Sequence, residues 1–135
     1  TIDRGLLRLL VDLAEGAPVA FSKAIDITRD LIEAYGDLGG LGVDYVLTSG
    51  GATTALDGAE VLSGMVAAGR GSTGPKVIAA GSVRPETVRQ VVEASGVREV
   101  HMRCSMPGAT WREPQRTEEA QVRRAVEAAR TLDPH

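Results

Sequence analysis

Short apolar segments with strand character alternate along this chain with amphipathic, helix-patterned segments, at a spacing of about 25–30 residues. The strand signals fall at 19–26, 43–49, 76–80 and 99–104, each β-branched or apolar and bounded by Gly, Pro or Ser turns. Before, between and after them lie stretches with helical spacing. Leu6, Leu9, Leu10 and Leu13 repeat at i, i+3, i+4 and i+7. Leu31, Ile32 and Tyr35 follow a cap at Thr28 or Asp30. Leu56, Ala59, Leu62 and Val66 follow a cap at Thr53 or Thr54. Val88, Val91 and Val92 follow Pro85, and Gly96 ends that helix. Val122, Ala125, Val126, Ala129 and Leu132 form the inward face of a last helix. The order α-β-α-β-α-β-α-β-α predicts an α/β fold with a parallel sheet and right-handed crossovers.

Three architectures accommodate four such βα units: a small doubly wound sheet, a fragment of a (β/α)8 barrel, or a flavodoxin-like domain short of one strand. No strand is followed by the G-x-G-x-x-G dinucleotide fingerprint or by a P-loop. At 135 residues the chain is read as a single domain, 1–135, and 43% hydrophobic residues suffice for a core. No apolar run reaches the length of about 18 residues that a membrane span needs. A net charge of -3 and 3% aromatic residues argue against nucleic acid as a partner. The single cysteine, Cys104, leaves no disulfide framework or cysteine-cluster zinc site. A reduced, cytoplasmic setting is the simplest expectation, and 13 Arg against 2 Lys fits a GC-rich genome. The chain opens at Thr1 without a signal-peptide pattern, so an upstream segment is expected.

Chemistry-bearing residues concentrate where the strands should end. On a regular strand over 19–26, Ser22 and Asp26 share one face and Lys23 lies on the other. Thr48 and Ser49 end the second strand; their hydroxyls and the amides of the following helix start suit either an anion or plain turn capping. Gly81 and Ser82 carry the same two readings. His101 and Arg103 share a face of the fourth strand, where a core histidine and a salt-bridged arginine are the alternatives to ligand contact. Met102, Cys104 and Met106 alternate and would share a face if that strand continued, which makes them the one soft set for Cu(I). Pro107 limits that continuation. Cys104 follows Arg103, which favours a thiolate, yet no dyad partner is near. Trp111 is a lid or a packing residue in the loop that follows.

Four segments resemble one family. Val19-Ala-Phe-Ser-Lys-Ala-Ile-Asp26 is similar to the V-T-F-H-R-A-F-D segment of the CutC copper-homeostasis family. Leu41-Gly-Val-Asp-Tyr-Val-Leu-Thr-Ser-Gly50, followed by Ala55-Leu-Asp-Gly58, resembles its L-G-F-x-R-[IV]-L-T-S-G and A-L-E-G. Ala79-Ala-Gly-Ser-Val-Arg-Pro-Glu86 resembles M-P-G-G-G-[VI]-R-P-E-N, and Glu99-Val-His101 resembles T-E-F-H. The departures sit at strand ends: Ser22 and Lys23 replace His and Arg, and Arg103, Cys104 and Ser105 replace Ser-Ala-Arg. The resemblance implies the C-terminal half of a (β/α)8 (TIM) barrel, strands five to eight, with an altered ligand-facing set. It also implies a role in copper homeostasis with copper as a candidate ligand. Two alternatives stand beside it: a barrel enzyme for a small phosphorylated or carboxylated metabolite, and a non-catalytic half-barrel interaction module. An open half-barrel further implies a partner, either the N-terminal half-barrel or a second copy of the chain.

Overall fold

The computed structural model describes residues 2–71, 74–105 and 116–132. Its elements are α1 (Arg4–Leu13), β1 (Ala20–Phe21), a 3-10 turn (Lys23–Ile27), α2 (Leu31–Gly40), β2 (Tyr45–Thr48), α3 (Ala59–Gly69), β3 (Lys76–Ala79), α4 (Val88–Ser95), β4 (Glu99–Val100) and α5 (Glu119–Arg130). The strands form one sheet in the order β1-β2-β3-β4, and every neighbouring pair is parallel. Among the described residues no helix is long and apolar enough to cross a membrane.

Register decides between the architectures. Val46 pairs with Phe21 and Val77, and Thr48 pairs with Ala79, which pairs with Val100. This face is buried under the helices: Val46, Thr48 and Ala79 have no exposed surface. Alternation puts Tyr45, Leu47, Ile78 and Glu99 on the opposite face, where they are only half-buried, with Lys76 exposed beside them. A doubly wound sheet would be covered on both faces. Here helices cover one face, as in a barrel wall, while the face that would line a lumen stays open. The core lies between, built on Ile25, Leu38, Leu62, Met65, Val88 and Val91.

Several boundaries differ from the pattern-based expectation, each for a local reason. The first strand is two residues long, not eight. At Ser22 the hydroxyl accepts from Ala24 N and caps a 3-10 turn instead. The fourth strand stops at Val100, although His101 N still donates to Ala79 O at 2.9 Å. Neither Thr53 nor Thr54 caps α3. Thr54 instead brackets a turn with Asp57, and Gly58 precedes the helix without a side-chain cap. Asp30, of the two candidates, caps α2 by accepting from Glu33 N. Pro85 lies in the turn ahead of α4, which begins at Val88 and ends, as expected, at a left-handed Gly96. Val46, Ala79 and Ala80 are core residues, and Val100 packs beside the core.

The two outer helices bury less than their pattern promises. On α1 only Leu7 is buried, while Leu6, Leu9, Leu10 and Leu13 are 51–67% exposed. On α5 only Ala125 is buried, and Val122 and Val126 are 38% and 45% exposed. Both helices lie toward the ends of the sheet, and among the described residues these apolar side chains are only partly covered.

The loop joining β2 to α3 closes on itself through two glycines. Gly50 has φ +69°, and a Cβ there would lie 2.5 Å from Gly58 O. A Cβ on Gly58 would fall on the Ser49 carbonyl oxygen. Gly58→Ala is therefore expected to lower stability by roughly 2 kcal/mol or more, read by urea denaturation. A loss below about 0.5 kcal/mol would show that this closure is not tight.

Candidate functional site

Because the strands are parallel, their C-terminal ends and the residues that follow lie along one edge of the sheet: Ser22 and Lys23, Ser49 to Gly51, Gly81 and Ser82, and His101 to Arg103. Ligands of parallel α/β proteins bind at this edge.

Its organising group is the Asp26 carboxylate. Lys23 Nζ donates to Asp26 Oδ2 at 2.5 Å. Thr48 Oγ1 donates to Oδ1. Ser49 N donates to Oδ2 at 3.1 Å and Gly51 N to Oδ1 at 3.0 Å. The carboxylate thus ties the turn after β1 to the end of β2 and the loop beyond. Burial by itself would raise its pKa, but the bonds from Lys23, Thr48, Ser49 N and Gly51 N outweigh that and lower it from 3.8 to about 2.

Lys23 and Asp26 were expected on opposite faces of a strand. They meet because the segment is a 3-10 turn, in which residues i and i+3 eclipse. Lys23 was missed for that reason. Its ammonium also donates to Ser49 Oγ at 2.5 Å, and its side chain remains 42% exposed. Two of its three N–H donors are engaged, so one is left toward solvent. The signal was the Ser22 cap, which favours a turn over a continued strand.

Thr48 and Ser49 are completely buried. Their hydroxyls serve the loop: Thr48 Oγ1 also accepts from Gly50 N at 2.9 Å, and Ser49 Oγ donates to Ala52 O at 2.6 Å. Ser22 is exposed at the cap of the 3-10 turn. Gly81, with φ +107°, packs on the β2 end; its carbonyl accepts from Ala55 N at 2.9 Å, and a Cβ would come within 3.0 Å of Ser49 Cβ. Ser82 is exposed in a left-handed conformation, φ +54°, with a hydroxyl that makes no hydrogen bond among the described residues.

At the β4 end His101 and Arg103 are exposed, and Arg103 forms no salt bridge among the described residues. Glu99 was also missed as a site candidate. Pairing of Ile78 with Glu99 sets it on the open face, and alternation sets His101 on the same side one step nearer the edge. The period-2 pattern of Glu99-Val100-His101 carried that signal.

Of the soft set, Met102 and Cys104 fall among the described residues. Met102 packs against the core. Cys104 is half-buried, with its carbonyl accepting from Glu118 N at 2.8 Å. Met106 and Trp111 lie outside the described residues. Among the described residues no group of three or more His, Cys, Asp or Glu is placed to hold a metal ion.

Comparison with known proteins accords with this geometry. The CutC family model matches residues 1–106. The chain belongs to the CutC family. A CutC family protein of Caulobacter vibrioides is 35% identical over 144 residues, covering 97% of this chain and 58% of that protein. Another, from Xylella fastidiosa strain 9a5c, is 34% identical, covering 99% of this chain and 42% of that protein. A crystal structure of CutC from Streptococcus agalactiae, assigned by inference to copper homeostasis, superposes with a TM-score of 0.67 at 20% identity, covering 74% of this chain and 49% of that one. The chain thus spans about half the length of the CutC proteins it matches. Its parallel βα repeats form the C-terminal half of a TIM barrel, as the CutC resemblance implies.

The depressed Asp26 pKa sets a pH dependence. A group whose folded pKa lies below its unfolded value adds stability that is full above the unfolded value and lost as pH falls through the folded one. The window is therefore from near 3.8 down to about 2. The contribution is on the order of 1–2 kcal/mol, allowing for water at the Lys23 end of the pair. Urea denaturation of the Asp26→Asn variant should show a loss of about 2–3 kcal/mol at pH 7 and a flatter acid limb than the parent. Equal stability of variant and parent at pH 7 would rule out the carboxylate as organiser.

Proposed function

We propose that this chain acts in copper homeostasis as the C-terminal half of a CutC-type barrel in the bacterial cytoplasm. We further propose that its strand-end edge receives a small phosphorylated or carboxylated anion. The observation that carries the second statement is the Lys23 ammonium, fixed by Asp26 and Ser49 with one N–H still directed to solvent. Asp26 already balances its charge, so Lys23 offers an oriented donor more than net attraction. Arg103 supplies a positive charge on the same edge that forms no salt bridge among the described residues, and the Ser82 hydroxyl a further donor with no partner among them. Such a mixture of one cation and fixed neutral donors suits an anionic oxygen group.

Copper as a directly bound ion has weaker support. Cu(I) favours close sets of soft sulfur ligands. Among the described residues Met102 packs against the core, and Cys104 is half-buried. Competition titration with Cu(I) is expected to give at most weak, substoichiometric binding. Tight one-to-one binding abolished by Cys104→Ser would overturn that expectation and restore Met102, Cys104 and Met106 as the ligand set. Calorimetric titration with inorganic phosphate checks the anion. Lys23→Met should weaken binding by about tenfold, the effect of losing one charge-assisted contact. Binding unaffected by this change would place the anion elsewhere.

A further inference from the structure

A cleft lies at the other end of the sheet from Asp26, where α3 and α4 end and β3 and β4 begin. Its volume is about 610 Å³. Small-molecule sites occupy roughly 300–1,000 Å³ and combine an apolar lining with a few polar groups. Here the lining is apolar at Val66, Val77 and Val97 and cationic at Arg70, Lys76 and Arg98. Among the described residues Glu99 is the one acid in it.

Separate elements bring the three positive charges together. Arg70 follows α3, Lys76 opens β3, and Arg98 lies just before β4. Pairing of Ile78 with Glu99 aligns the start of β3 with Arg98. The Arg70 side chain reaches toward the end of α4: a Cβ on Gly96 would lie 3.9 Å from its Nη2. Lys76 Nζ sits 5.5 Å from the centre of the Tyr45 ring, which holds the ammonium at the strand start without neutralising it. The C-terminal dipoles of α3 and α4 draw cations to this end by about 0.3–1 kcal/mol each. That accounts for the position of the arginines and leaves their guanidinium forks open. Arg70 and Arg98 are exposed, and neither forms a salt bridge among the described residues. A cleft lined by one sign of charge focuses the field, and like charges held together repel until a counter-ion relieves them.

The charges fit one class of ligand. Three cations and one acid leave a surplus of two positive charges. A phosphate monoester carries about −1.5 to −2 near pH 7 and offers three acceptor oxygens. Guanidinium forks bind such oxygens in pairs. We propose that this cleft binds a phosphate monoester with a small apolar body, the phosphate held by Arg70, Lys76 and Arg98 and the body lying against the valines. The site is separate from the strand-end edge and does not rest on the reading given for that edge.

Phenyl phosphate is the probe, titrated into the 135-residue chain and followed by amide NMR. Glycine amides mark the two ends of the sheet: Gly69 and Gly96 at the cleft, Gly51 and Gly81 at the strand ends. Saturable shifts at Gly69 and Gly96 are expected. Arg70→Ala and Arg98→Ala should each raise the dissociation constant by about tenfold, with unchanged far-UV circular dichroism because both side chains are exposed. Arg8→Ala combined with Arg29→Ala removes two exposed arginines outside the cleft and should leave binding unaltered. An equal loss in that double variant would reduce the effect to diffuse attraction and overturn the site. Inorganic phosphate, which lacks the apolar contact, should bind about tenfold more weakly, and equal affinity would overturn the ligand class. Binding indifferent to both Arg70→Ala and Arg98→Ala, or no saturable shift at Gly69 and Gly96, would overturn the proposal. Shifts confined to Gly51 and Gly81 would do so while leaving the strand-end reading standing.

Discussion

One half-buried carboxylate sets the shape of the strand-end edge. Asp26 accepts from a lysine, a threonine hydroxyl and two backbone amides, drawn from two segments of the chain, its own 3-10 turn and residues 48–51. The backbone of 49–51 bends into left-handed glycine conformations that leave its amides without ladder partners. A carboxylate with several acceptor sites is the group that can satisfy such convergent donors. Without it the Ser49 amide and the Thr48 hydroxyl would lose their acceptor in the interior, at a cost of about 1–3 kcal/mol for each group left unsatisfied. The loop in turn seats Gly81 against Ser49, so the end of β3 depends on the same anchor.

The order of elements and the parallel sheet were legible because both follow from periodicity. β2 and β3 need no tertiary context: 45–48 and 77–79 are aromatic, β-branched or apolar and run into turn residues. The short outer strands were not legible. Nothing in 19–26 reveals that Asp26 is drawn to a partner 22 residues away at Thr48, which converts a period-2 reading into a 3-10 turn. Lys23 went unseen through the same error of period. On α1 the amphipathic pattern was read correctly, but its apolar stripe has no neighbour within the described chain. Periodicity shows that a face is apolar and does not say which surface covers it.

The family resemblance was legible as well, and it located the differences at the strand ends. Retained residues are largely those that now prove structural: Asp26, Thr48, Ser49 and Gly58 build the anchor and its loop. Changed residues are mostly the exposed ones. Ser22 and Lys23 stand where the family motif has His and Arg, and Arg103 follows the shared Glu99-Val-His101 segment. A scaffold held constant by hydrogen bonding, with altered exposed side chains at its edge, is how one barrel accommodates different ligands.

The central claim is that Asp26 is ionised and multiply hydrogen-bonded at the strand ends. Its carboxyl carbon resonance, followed by NMR as pH is lowered, reports this directly. Titration near pH 2 is the expected result. Titration at or above the ordinary aspartate value of 3.8 would contradict the network and the site built upon it.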